Sequence, residues 1–160
     1  MRWNGTMADK NVARRQVRYA TFDDVIHDAT RLSNTKVTTV GNWTQGQIYD
    51  HLAKAYNQSI DGMKPMPAPM RWLFTLLMKK RFLNKGLPAG FKTMSNLQPP
   101  AVETADGLAS LTQAVDRLKQ EPNRAMHPVF GNITREEWDQ FHLRHAELHM
   151  SFLVEQASDS

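Results

Sequence analysis

The chain has 160 residues, of which 41% are hydrophobic and 22% charged. This is the composition of one globular domain with one core, and it argues against a disordered or fibrous chain. The sequence has no cysteine, which excludes disulfides, thiolate nucleophiles and cysteine-ligated zinc, so a metal site must draw on His, Asp, Glu or backbone oxygen. The net charge of +4 is a small excess gathered at Arg14, Arg15, Arg18 and at Lys79, Lys80, Arg81, Lys85. No recognition motif or interleaved aromatic residue accompanies those clusters, and no nucleic-acid partner is expected.

Residues 1–18 are polar and basic and read as a flexible arm, followed by a single helical domain over 19–157. The arm has no apolar run long enough for a signal peptide, so a cytoplasmic location is expected. A first helix begins after Thr21, a natural N-cap, with Asp23 and Asp24 in its first turn. Phe22, Val25, Ile26, Ala29 and Leu32 form its stripe, and His27 falls beside it, on the exposed side. Lys36 to Val40 is the one extended piece. Gly41-Asn42-Trp43-Thr44 breaks the pattern, and Thr44 with Gln47 fits a capping box opening a second helix of about 19 residues. Ile48, His51, Leu52, Ala55, Ser59 and Met63 mark its inner face. Pro65, Pro67 and Pro69 end it in an extended link.

A short amphipathic helix follows from Met70 to about Leu83. Its apolar window is too short to span a bilayer, and no membrane partner is expected. Trp72 and Phe74 are apolar positions that a homodimer would use. Gly86 to Pro100 is a long loop of the kind that often carries function. A third bundle helix starts near Thr104 to Asp106, with Leu108, Leu111, Ala114, Val115 and Leu118 inward, and stops at Pro122. Thr134 and Glu137 make a second capping box, which opens a final helix running to about Gln156. Four long helices with a short additional helix and long connecting loops define an all-α bundle.

The final helix carries half of the six histidines of the sequence. At about 100° per residue, His142, His145 and His149 fall within an arc of roughly 60°, on the apolar stripe that carries Trp138, Phe141, Leu148 and Phe152. Imidazoles facing a core need hydrogen bonds or a metal. His142 and His149 are about 10 Å apart along the axis, too far to share a small ion whose bonds are about 2.0–2.1 Å. His145 and His149 have the i, i+4 spacing of helical zinc motifs, whereas His142 with His145 is a less usual pair. A third ligand must come from elsewhere, and His51 is the only other histidine on an inward helical stripe. A hydrogen-bonded core pair has the same HxxxH spacing, and Ala146 stands where the HExxH motif requires Glu.

Gly41-Asn42-Trp43-Thr44-Gln45-Gly46-Gln47-Ile48 leading to His51-Leu52-Ala53, Ser59-Ile60-Asp61-Gly62, Gly86-Leu87-Pro88-Ala89-Gly90, His127-Pro128-Val129-Phe130-Gly131 and Glu137-Trp138 through His149 together resemble the DinB/YfiT-like superfamily of four-helix-bundle metalloenzymes. Within it, the chain looks like an uncharacterised branch known as a domain of unknown function. The resemblance covers about Val17 to Phe152. It implies a DinB-like four-helix bundle in which His51, His145 and His149 bind a divalent metal ion, zinc or nickel, with iron or manganese as further candidates. Characterised relatives in the superfamily include thiol-dependent S-transferases and metal-dependent hydrolases and isomerases.

The leading expectation is an enzyme whose metal activates a thiol or water, with a small-molecule substrate such as a low-molecular-weight thiol. His142, one turn from His145, is the candidate catalytic proton shuttle. His127 is a candidate for the same rim. Gln47 is a candidate support for His51, beside its simpler role in the capping box. The lack of an obvious carboxylate base favours an incoming thiol over water. The alternatives are a non-enzymatic metal-binding or stress-related bundle, and a metal-free core in which the imidazoles pair with each other.

Overall fold

A computed structural model describes residues 13–88 and 99–156. Among them run α1 (Phe22–Ser33), β1 (Val37–Thr39), α2 (Gln45–Asp61), α3 (Ala68–Lys85), α4 (Thr104–Gln120), α5 (Arg135–Met150) and β2 (Leu153–Glu155). The fold is all-α apart from one two-stranded antiparallel ribbon.

Three helices start on reciprocal capping boxes. Thr21, Thr44 and Thr134 each accept a backbone N–H from the third helical residue, and the side chains of Asp24, Gln47 and Glu137 reach back to the cap N–H. Each box satisfies two backbone donors that the helix leaves free, which fixes where the helix begins. Gln47 is committed to this role through the N–H of Thr44 at 2.9 Å, and its amide also donates to the Pro99 carbonyl at 3.4 Å.

The core lies between α1, α2, α4 and α5. Val25, Ala29, Leu32, Tyr49, Leu52, Tyr56, Leu111, Ala146, Met150 and Leu153 have no exposed surface. The tightest contact joins α2 to α4 at two glycines. A Cβ on Gly46 would overlap the carbonyl of Val102, and one on Gly107 would lie 2.5 Å from the Gly46 carbonyl oxygen. Only residues without side chains let the two backbones meet there. Tyr49 and Tyr56, which the apolar reading of α2 passes over, are the largest fully buried side chains. The Tyr49 hydroxyl donates to the Ala29 carbonyl at 3.0 Å and ties α2 to α1.

Several boundaries differ from the sequence reading. The additional helix is not short: α3 has 18 residues, because Pro69 falls in its first turn, where proline is tolerated, and no breaker follows until Gly86. It is Gly62, at φ +91°, that stops α2, before the prolines are reached, so Met63 lies outside the helix. The last helix ends at Met150, not near Gln156. The N–H of Phe152 turns back to the His149 carbonyl, and Leu153–Glu155 pair with Val37–Thr39 in the register Thr38 opposite Val154. Leu153, fully buried, anchors that turn.

Residues 1–12 of the expected arm lie outside the described residues. Arg15 and Tyr19 are already built into the bundle. Arg15 pairs with Asp28 at 2.7 Å, and the Tyr19 hydroxyl donates to the same carboxylate at 2.5 Å. Glu147 accepts the Tyr19 N–H at 2.7 Å and pairs with Arg144 at 2.6 Å. Of the expected functional loop, residues 89–98 lie outside the described residues. Among the described residues, no helix is long and apolar enough to cross a membrane.

Candidate metal centre

The structure brings together His51 from the middle of α2 with His145 and His149 from the last two turns of α5. The Nε2 atoms of His51 and His145 are 3.1 Å apart, and those of His149 and His145 are 3.0 Å apart. One ligand atom from each of the three lies within 4.8 Å of the others. The i, i+4 spacing sets the α5 pair on one face. Ile48, Tyr49, Leu52 and Tyr56 hold α2 in the core and leave His51 facing α5.

Hydrogen bonding alone does not account for this convergence. Each imidazole nitrogen carries either one hydrogen or one lone pair, so the His145 Nε2 cannot make a full bond to both of its neighbours. A tetrahedral ion with bonds of about 2.0–2.1 Å holds its ligands roughly 3.3 Å apart, close to the two spacings observed. The two donors on α5 are also of the right charge. Burial, followed by the neighbouring His149 and His51, drives the His145 pKa well below its ordinary value. Burial, then His51, lowers that of His149 to about 3. Both rings are therefore neutral at physiological pH, the state in which imidazole binds metal. The residues present fit a divalent cation.

The walls of the site are aromatic. Trp43 stacks on His149 with centroids 5.4 Å apart and planes 13° from parallel, and its ring lies 4.8 Å from that of His51. Phe141 lies 6.0 Å from His145 on the other side. In the sequence Trp43 stands in a helix-breaking stretch and in one of the segments that carry the family resemblance, with no site role expected of it. The available signal was its position directly before the Thr44 cap, where an apolar residue packs back on the first turns of its helix. The His145 Nδ1 has no hydrogen-bond partner among the described residues, so packing orients that ring. His51 is 2% and His145 9% exposed, whereas His149 is half-buried, so His149 forms the solvent side of the cluster.

The other histidines stand apart from the three. His142 is 1% exposed, and its ring is enclosed by Tyr56 at 4.7 Å, Trp138 at 5.1 Å and Phe22 at 6.4 Å. Neither of its nitrogens has a hydrogen-bond partner among the described residues. Burial, followed by His127 and Arg124, keeps it neutral. α2 and α5 run in opposite directions here, so His51 meets His145 and His149 while Tyr56 meets His142. His127 does not reach the cluster. Its Nδ1 accepts the N–H groups of Val129 and Phe130, and burial lowers its pKa to about 3, so it serves as the polar pin of its own loop. His27 is exposed, as its place beside the α1 stripe predicts.

An all-α bundle that gathers three histidines from its second and last helices is the class of protein these features define. The chain belongs to the family described as protein of unknown function (DUF1569), whose model matches residues 11–156. No curated protein and no solved structure matches the sequence.

Proposed function

We propose that the protein is a metal-dependent enzyme in which His51, His145 and His149 hold a divalent cation, zinc or nickel, that activates a thiol or a water. The observation that carries this reading is the meeting of three Nε2 atoms from two helices at ligand spacing. The resemblance to the DinB/YfiT-like superfamily supports it, because that group uses the same three positions. A cation bound by three neutral ligands keeps a coordination position for substrate and lowers the pKa of whatever occupies it.

The chain's own residues do the rest. His51 and His145 form the closed inner side of the site, and His149 forms its accessible edge. Trp43 covers two of the three rings and limits the entry of water from that side. Among the described residues the site cluster contains histidines alone, which favours a thiol that needs only to lose its proton over a water that needs a general base. His142 serves this site as a buried neutral ring that positions the middle of α5 against Tyr56 and Trp138; its enclosure keeps it from meeting substrate. The reading includes a cytoplasmic location, where small thiols are kept reduced.

The test is an assay of tag-free, metal-loaded protein with small thiols and an electrophilic acceptor, beside a panel of ester and amide substrates. Turnover that disappears with chelator and in His145→Ala is expected. Metal binding at full occupancy with no turnover in either assay would support the second reading, a non-enzymatic metal-binding bundle.

A further inference from the structure

We propose that α3 is a docking face for an anionic phospholipid bilayer, on which the protein lies in the interface without spanning it. The helix exposes Met70, Trp72, Leu73, Leu76 and Leu77, with Trp72 and Leu76 each 68% exposed. At about 100° per residue, positions 72, 73, 76 and 77 fall within an arc of roughly 140°. A contiguous apolar patch of this kind on a soluble domain marks a surface that meets something apolar.

The opposite side of α3 is occupied. The Thr75 hydroxyl reaches the Phe130 carbonyl at 3.2 Å and Phe82 packs on Phe130 at 5.9 Å, while at the edge of the exposed arc Lys79 pairs with Glu137 at 2.6 Å. These contacts fix which face points outward. The helix packs chiefly against α5 and stands at the margin of the bundle.

Charge selects the occupant. The α3 sequence holds Arg71, Lys79, Lys80, Arg81 and Lys85 and no acidic residue. Lys80, Arg81 and Lys85 are exposed, and none of them has an ion pair among the described residues. Lys80 falls in the same arc as the apolar side chains. An isologous contact with a second copy would bring two such faces together with no carboxylate on α3 to meet the lysines and arginine. An anionic headgroup layer over an acyl boundary offers both complements at once. The lack of a spanning segment, which led to the expectation of no membrane partner, does not bear on a helix that lies in the interface. The inference is independent of the metal site.

The experiment is co-sedimentation of the full-length protein with vesicles of pure phosphatidylcholine or of phosphatidylcholine mixed with phosphatidylserine. Partitioning about tenfold stronger onto the anionic vesicles, weakening with salt, is expected. Leu76→Glu and the double variant K80E/R81E should each abolish that preference while keeping the far-ultraviolet circular dichroism and melting temperature of the parent. Equal partitioning onto both vesicles, or none, overturns the proposal. So does a concentration-dependent dimer that Leu76→Glu disrupts in protein that ignores vesicles. Protection of Trp72 from acrylamide without lipid, read against Trp72→Phe, overturns it too, by showing that the chain covers its own face.

Discussion

Replacing His142 by phenylalanine should stabilise the protein, and increasingly so in acid. The wild-type ring is 1% exposed and both of its nitrogens lack partners among the described residues. A buried, unsatisfied polar group costs about 1–3 kcal/mol, and two such atoms share this ring. Phenylalanine removes both at nearly the same shape. Its slightly larger ring returns part of the gain as packing strain of about 1–3 kcal/mol. At the midpoints of these ranges, about 4 kcal/mol gained against about 2 lost, the net increase at pH 7 is about 2 kcal/mol. The pH dependence is a sharper signature. Burial depresses the folded pKa of His142 well below its ordinary value, so below about pH 6.5 the unfolded chain binds a proton that the folded chain refuses. Wild-type stability is therefore intact above pH 6.5 and falls as pH drops below it, by up to about 1.4 kcal/mol per unit from this group alone. The phenylalanine variant lacks this contribution, so its advantage should widen between pH 7 and pH 4. Urea denaturation of both proteins, with chelator present to remove any contribution from metal, measures the difference at each pH. A variant that is less stable than wild type, or an advantage that stays constant across that range, would refute the account of His142 as an unpaired neutral ring.

Three further outcomes are expected. Glu147→Ala leaves Arg144 buried without its carboxylate and releases the Tyr19 N–H, and should cost about 3–5 kcal/mol in urea denaturation. Gly46→Ala puts a methyl group into the backbone of residues 102 and 103 and should lower stability by about 1–3 kcal/mol or more, with parting of α2 from α4 visible in hydrogen exchange. Trp43→Ala uncovers His51 and His149 and should weaken metal affinity about tenfold, as read by competition with a chromogenic chelator, and should also lower the melting temperature of the metal-free protein, because the ring packs against the core.

Much of this arrangement can be read from local chemistry. The capping residues Thr21, Thr44 and Thr134 mark their helix starts because caps depend on neighbours within one turn. The i, i+4 pairing of His145 and His149, and the inward place of His51, follow from helical periodicity. What the sequence conceals depends on distant partners. Leu153–Glu155 continue a helical pattern in isolation and become a strand because Val37–Thr39 lie beside them. Periodicity puts His142 in the same arc as His145. Only packing shows that Tyr56 and Trp138 close around it while His51 meets the other two. Glu147 likewise points away from the histidines, as the helical wheel requires. Its role holding Tyr19 depends on a segment more than a hundred residues away.

The central claim is that three histidines from α2 and α5 form one metal site. Its most direct measurement is calorimetric titration of zinc or nickel into tag-free, chelator-treated protein, alongside His51→Ala. The account predicts one ion bound per wild-type chain, a rise in melting temperature on binding, and loss of both in the variant, since α5 alone supplies only two of the ligands. Equal affinity and an equal thermal shift in wild type and His51→Ala would contradict it.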